Sequence, residues 1–348
     1  MDSNLQENLT VIMPTHKREN YLRRSVNYWR HFDVRVIIVD SSPEVVNIET
    51  PTHIEYHHCV GQGFSAKVKK AMDMVQTPYV VMCPDDDFQT EQGLVACIEF
   101  LEQNPDYSCA QGRYLCFKQD NGEILVKEIY RSEDDFHVND KEVTARIEKG
   151  LFNYNLWYWS VHRSDALKQI YKAYENVSNG NLIEIGVVMG HLAQGGHIQL
   201  PVFYQAREVL PKSWGRVEAI LSFDDAENSD LTLWREKSAE VISSLAGLDH
   251  SKALEAVAAA EQAYSCFIDE AQDVPAPSSK FYEMVDKVLP KPVYKKLLDI
   301  KRKFKPSTSQ RGYNQQTSYV WGDEQARNSW QLIINTLEQS HDQSSEQG

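Results

Sequence analysis

The stretch YVVMCPDDDF, from Tyr79 to Phe88, decides how this chain is read. Its first five residues carry no polar alternation, the pattern of a strand buried on both faces, and Pro84 closes the run. Asp85, Asp86 and Asp87 follow at once. Like charges held together repel unless a cation or a positively charged ligand neutralises them. Hard divalent ions such as Mg²⁺ take carboxylate oxygens and keep positions open for a substrate's phosphates. The competing reading is a solvated acidic turn that caps a helix starting near Thr90, where negative charge also suits the helix dipole.

Upstream of this stretch the same unit repeats: an apolar run, a turn, a helical pattern. Leu9 to Met13 (LTVIM) is a short buried strand closed by Pro14, and Tyr21, Leu22, Ser25, Val26 and Trp29 then recur at helical spacing. Val34 to Val39 (VRVIIV) is a second strand ending at Asp40. Residues 53–57 form a weaker, polar strand, followed by Gly61, Gly63 and a helix from about Ser65 to Val75. Downstream, 90–103 is helical by pattern and 107–117 is strand-like. Strands alternating with helices at this spacing mean βαβ units and a mainly parallel sheet, whose ligands bind outside the carboxyl ends of the strands.

Beyond residue 118 the alternation weakens. Residues 119–140 are polar, a hairpin or excursion; 151–163 (LFNYNLWYWSVHR) concentrate aromatics; 181–192 (NLIEIGVVMGHL) read as a helix interrupted by glycines. From about 228 the chain turns helical, Pro275 and Pro277 mark a linker, and Ala326, Trp330, Ile333, Ile334 and Leu337 give a last amphipathic helix. The expected organisation is an α/β domain over 1–220, a helical region over 221–340 and a polar tail over 341–348.

The 348 residues, at ~150 per domain, agree with about two domains. A hydrophobic share of 42% and a charged share of 25% exclude collagen, wholesale disorder and multi-span membrane classes. No apolar run approaches the ~20 residues of a membrane-spanning helix. The opening MDSNLQENLTVIMP has no basic segment followed by an apolar one, so a cytoplasmic location is expected. Six cysteines without a CxxC spacing read as buried thiols rather than disulfides or a zinc site. With 36 Lys and Arg against 50 Asp and Glu, the net charge of −14 argues against nucleic acid as a partner.

The opening LTVIMPTHKRENYLRRSV, the strand VRVIIVDSSPE, the helix GFSAKVKKAMD and the strand YVVMCPDDDF together resemble family-2-like glycosyltransferases of the GT-A fold, well over 9–104 and loosely over 150–210. The resemblance implies that Pro14, Thr15 and Asp40 hold the nucleoside. It also implies that Asp85 and Asp87, with Asp86 between them, form the DxD motif binding a divalent metal (Mn²⁺ or Mg²⁺) and the sugar-nucleotide diphosphate. Ser65-Ala66-Lys67 stands where the family often carries Ala-Arg-Asn. Lys67, with His16, Lys17 and Arg18, would add positive charge near the phosphates. A general base is implied at the start of a helix roughly a hundred residues after the motif. Glu184 is the candidate, with Asp165 and Glu175 behind it. The apolar neighbours Leu182, Ile183 and Ile185 would raise its pKa by desolvation and suit it to proton abstraction.

Three further features are weighed. Trp157, Tyr158 and Trp159 offer rings that stack on an acceptor sugar, although strand alternation would send Trp157 and Trp159 together into the core. His191 lies seven residues after Glu184, on the same helical face, and is a candidate to complete the metal shell. Residues 291–305 hold seven Lys or Arg and one Asp. On a helix, Val293, Leu297, Ile300 and Phe304 form one stripe flanked by this charge, which fits an anionic membrane surface or a core-packed helix with a solvated basic face.

The expected function is transfer of a sugar from a nucleotide-diphosphate donor, a UDP-sugar, to a saccharide or lipid-linked acceptor at the cytoplasmic membrane face. The resemblance implies surface-polysaccharide synthesis, with inversion if Glu184 is the base. Two alternatives are carried. Gly61, Gly63 and Ala66 satisfy GxGxxA with Asp85 22 residues beyond Gly63, which reads as an NAD-type oxidoreductase. A membrane-docked sugar-nucleotide-binding protein without turnover is the other.

Overall fold

The computed structural model describes residues 5–120, 123–129, 136–154, 156–209, 229–271 and 323–345. After a one-turn helix α1 (Leu5–Asn8) the order is β1 (Leu9–Thr15), α2 (Glu19–Trp29), β2 (Arg35–Asp40), β3 (Ile54–His58), α3 (Phe64–Met74) and β4 (Tyr79–Met82). Then come β5 (Phe88–Gln89), α4 (Glu91–Gln103), β6 (Tyr107–Asp120), β7 (Glu123–Ile129), β8 (His137–Val138), α5 (Val143–Phe152) and β9 (Val161–Arg163). The chain goes on through α6 (Ser164–Ala173), α7 (Gly180–Gln194), β10 (Gly196–Glu208), α8 (Ser229–Ala246), α9 (His250–Ala271) and α10 (Glu324–Ser345). The basic segment 291–305 and the linker prolines lie outside the described residues.

One mixed, mostly parallel sheet runs β3-β2-β1-β4-β9-β6-β10-β5, with β7 on β6 and β8 on β10. β3, β2, β1 and β4 are mutually parallel. β9 lies antiparallel between β4 and β6, and β10 runs parallel to β6. The all-apolar runs are the strands covered on both faces: every residue of β4 is buried, and so are the last five of β2. The polar strand β3 takes the edge. Of the expected excursion, 119–120 end β6 and 123–129 form β7, paired antiparallel to it.

After β1 the chain adds β2 and β3 on one side and then crosses to place β4 on the other, so the order reverses between β1 and β4, where open sheets bind ligands. This also decides against the dinucleotide reading. The turn after β1, which would carry the glycine fingerprint, reads His16-Lys17-Arg18, whereas Gly61 and Gly63 follow the edge strand. Antiparallel β9 then breaks the parallel order that the dinucleotide fold requires. Pro14 costs the sheet nothing, because β1's pairing to β4 ends at Ile12 and Met82.

Helices α8 and α9 pack on α5, α6 and α7, and their Trp234, Ile242, Ala253 and Ala260 belong to the same apolar core as the sheet. All six cysteines are free thiols, five of them buried. Among the described residues no helix is long and apolar enough to cross a membrane.

Histidine is the unexpected core residue. His162 on β9, His191 on α7 and His197 on β10 are each at most 1% exposed. The rings of His162 and His191 stack at 3.9 Å, and His197 stacks on Trp157 at 4.0 Å. Burial holds His162 down at about 4 and pushes His191 and His197 well below the ordinary value, so all three stay neutral in the fold. The unfolded chain takes up protons below about pH 6.5 that the folded one refuses, so these histidines lower stability as pH falls from there towards 4. Denaturant titrations at pH 7.0 and 5.0 are expected to show that loss, and His162→Phe is expected to reduce it. An unchanged pH slope in the variant would mean that His162 is protonated in the folded state.

Candidate active site

The carboxyl ends of β1, β2 and β4 place Thr15, Asp40 and the aspartate turn side by side. Asp40 is 1% exposed, and both its oxygens are engaged. Oδ1 accepts from the Ser42 amide at 2.8 Å and the Ser42 hydroxyl at 2.5 Å, and Oδ2 accepts from the Tyr56 hydroxyl at 2.8 Å. That hydroxyl also accepts from the Val46 amide at 3.1 Å, so Tyr56 on the edge strand fixes both the carboxylate and the loop after β2. Lys17 adopts a left-handed φ of 54° in the turn after β1 while its amide donates to Ser42 Oγ at 2.7 Å.

Lys67, on the first turn of α3, is only 4% exposed and donates to the Thr15 carbonyl at 2.5 Å and to Ser41 Oγ at 3.1 Å. Burial lowers its pKa, while the charges of Asp40 and Asp85 act to hold the proton on. Lys67 thus sets one positive charge between the acid of β2 and the acids after β4.

The aspartate turn is enclosed from three directions. Asp85 is 2% exposed; its Oδ2 accepts from Thr15 Oγ1 at 2.6 Å and its Oδ1 from Arg18 at 2.6 Å. The other arm of the Arg18 guanidinium donates to Asp86 at 2.8 Å. From α2, Ser25 donates to the Asp85 carbonyl at 2.7 Å and Arg24 to the Asp86 carbonyl at 3.1 Å. From β10, Gln205 donates to Asp87 Oδ2 at 2.6 Å and the Glu208 amide to Asp87 Oδ1 at 3.2 Å. Arg24 and Glu208 form a buried ion pair at 2.7 Å beside them. The helix after the turn is capped by Thr90, whose hydroxyl accepts from the Gly93 amide, so the aspartates are not its cap.

Burial raises Asp85 to about 6, against the opposing pull of Arg18 and with a further push from Asp86. Burial and then Asp86 push Asp87 up as well. Each carboxylate oxygen keeps a lone pair beyond the hydrogen bond described. The donor chemistry, hard and anionic, therefore fits a divalent cation, and a guanidinium already occupies the place of one. Among the described residues, however, no three His, Cys, Asp or Glu side chains converge to hold a metal by themselves. A cation here needs oxygens from a ligand as well, as is usual for Mg²⁺.

Glu184 sits on the second turn of α7, half-buried, and accepts a hydrogen bond from Tyr154. Burial raises its pKa, and the positive charge of Arg207 on β10 lowers both Glu184 and Asp87. Arg207 thus ties the candidate base electrostatically to the aspartate turn. Tyr154 is backed in turn by the rings of Tyr264 and Phe267 from α9.

Two expectations change. His191 stacks on His162 inside the core instead of joining Asp85 and Asp87, because α7 turns that face towards the sheet. Residues 157–159 form a 3-10 turn after Leu156, at φ 53°, not a strand. Trp157 and Tyr158 are therefore both buried, the latter hydrogen-bonded to Tyr171, and only Trp159 keeps an exposed edge. Sequence reasoning also missed Ser42, Tyr56, Gln205, Arg207 and Glu208. The polar residues interrupting the end of the apolar run of β10 were the available signal.

No curated protein matches the chain. Among solved structures it is similar to the Staphylococcus aureus TarS fragment 1–349, at 13% identity over 74% of this chain and 71% of that one, with a TM-score of 0.47. The same fragment in complex with UDP-GlcNAc matches at 13% identity over 74% and 72%, with a TM-score of 0.48. Residues 10–176 match the family described as Glycosyl transferase family 2, a span that holds β1 to α6 and every aspartate-turn contact except those from β10. The mixed, mostly parallel α/β sheet is thus the fold of a chain whose residues 10–176 are similar to the Glycosyl transferase family 2 model.

Proposed function

We propose that the protein moves a sugar from a nucleoside diphosphate donor, a UDP-sugar, to a hydroxyl of a saccharide or lipid-linked acceptor, with inversion. The observation that carries this reading is the convergence of Asp40, Lys67 and Asp85 where the strand order reverses within the family 2 match. Asp40, held by Ser42 and Tyr56 and beside Thr15 and Pro14, is the acceptor for the base. Lys67 and Arg18 face the phosphates. Asp85 and Asp87 would hold the Mn²⁺ or Mg²⁺, which would supply neutralisation of the diphosphate leaving group. Glu184 takes the acceptor proton, and the raised pKa that burial gives it makes it a stronger base than an exposed carboxylate. Trp159 supplies an edge for the acceptor. A place on the cytoplasmic membrane face in surface-polysaccharide synthesis rests on the basic segment 291–305 and on the family resemblance alone.

Product formation from labelled UDP-sugars, screened with Mn²⁺, tests the whole reading, and nucleotide binding without turnover would instead favour a non-catalytic binding protein. Asp85→Asn and Asp87→Asn are each expected to abolish Mn²⁺-dependent UDP binding in calorimetry. The apo fold of Asp85→Asn should be no less stable than wild type at pH 7.5. The reason is linkage: the folded pKa of about 6 lies above the ordinary 3.8, so stability present below 3.8 is lost as pH rises through 6, and asparagine carries no such charge. Glu184→Gln should retain donor affinity and lose turnover by ~10²-fold or more. Wild-type turnover at saturating substrate would remove Glu184 from the chemistry. Replacing Lys295, Lys296, Arg302 and Lys303 by Gln should weaken cosedimentation with phosphatidylglycerol vesicles, and equal binding would leave 291–305 without a membrane role.

A further inference from the structure

Arg18 stands apart from the other groups around the aspartate turn. Thr15, Ser25, Arg24, Gln205 and the Glu208 amide hold the turn through groups that are themselves buried or part of the backbone. Asp85 and Asp87 therefore keep their positions whether or not Arg18 is present. Arg18 instead reaches in from solvent: its side chain is 31% exposed, against 2% for Asp85 and 14% for Asp86. It precedes α2 with non-helical backbone angles (φ −134°, ψ 50°) and caps nothing with its side chain. The guanidinium also lies 4.2 Å over the ring of Tyr21, a second perch outside the carboxylates.

The two arms of this guanidinium bridge Asp85 and Asp86, the place that a metal on Asp85 has to share. A bare cation arriving alone must displace two charge-assisted hydrogen bonds, and among the described residues the turn offers it fewer than three converging His, Cys, Asp or Glu side chains. A cation arriving with a nucleoside diphosphate brings phosphate oxygens to complete its shell and negative charge to compensate the displaced arginine.

On the metal–nucleotide reading above, we propose that Arg18 is a built-in counter-cation that occupies the aspartate turn until metal and nucleoside diphosphate arrive together, and so makes the two bind as one unit. The coupling is reciprocal: whatever UDP adds to the affinity for Mn²⁺, Mn²⁺ adds to the affinity for UDP. Removing the guanidinium should raise the affinity for Mn²⁺ alone and shrink that coupling.

The test titrates the protein with Mn²⁺, reading free Mn²⁺ by electron paramagnetic resonance, with and without UDP. Without UDP, Arg18→Met should bind Mn²⁺ about tenfold more tightly than wild type, within the ~5- to 150-fold usual for coupled sites. UDP should then strengthen Mn²⁺ binding less in the variant than in wild type. Arg18→Lys, which keeps the charge, should stay near wild type, and Arg18→Gln serves as a second neutral variant should the Met form melt early. If neutral variants and wild type bind Mn²⁺ alone equally while UDP binding still requires Mn²⁺, Arg18 is not the counter-cation, and the transferase reading stands. If UDP fails to bind wild type with or without Mn²⁺, the metal–nucleotide reading falls and takes this proposal with it.

Discussion

Ionised carboxylates at the end of a buried strand must be compensated, and much of this structure follows from that requirement. Two like charges about 4 Å apart oppose each other by ~4 kcal/mol at the effective dielectric of a protein surface, and burial adds desolvation. The chain cannot answer this locally, because residues 79–90 contain no cation and few donors. Compensation is imported: a hydroxyl from β1, the Arg18 guanidinium from in front of α2, an amide side chain and a backbone N–H from β10. The sheet order is what makes this possible. Pairing of β5 with β10, Gln89 opposite Gln205, brings a strand from more than a hundred residues away to the side of Asp87.

The histidine cluster shows the opposite solution to the same cost. Imidazoles can be buried neutral, and His162, His191 and His197 are, stacked on one another or on Trp157. Carboxylates of a binding site have to remain ionisable, so they are supplied with donors instead. The fold thus leaves its buried imidazoles uncharged and surrounds its buried aspartates with donors where the strand order reverses.

What the sequence reveals and what it hides divide along the same line. β1, β2 and β4 announce themselves as unbroken apolar runs, because strands covered on both faces carry no alternation, and the acid turn follows directly from one of them. Thr15, Arg18, Asp40 and Lys67 could be named because each stands next to such a run or on the first turn of a clear helix. Tyr56 could not, since its edge strand is polar and its partner Asp40 is fixed only by sheet register. Gln205 and Glu208 left no periodic signal across the 118 and 121 residues that separate them from Asp87. The WYW cluster misled because an alternating reading assumes a strand, whereas a left-handed Leu156 starts a tight turn that buries adjacent rings. His191 was placed correctly on its helix, but helical phase alone does not say which neighbour that face meets.

The last helix has a practical side. α10 lies against α2 and α4, with Ala326, Trp330, Ile333 and Leu337 buried and Trp330 set edge-on to Phe117 of β6. It therefore supports from behind the helix whose leading edge presents Arg18, Arg24 and Ser25 to the aspartates. A shortened protein trimmed at the end of the family 2 match would lack this backing as well as β10, and would uncover the apolar surface around Phe117 that Trp330 packs on. Expression of residues 10–176 alone is thus a poor route to a folded fragment, and purification tags belong at a distance from α10.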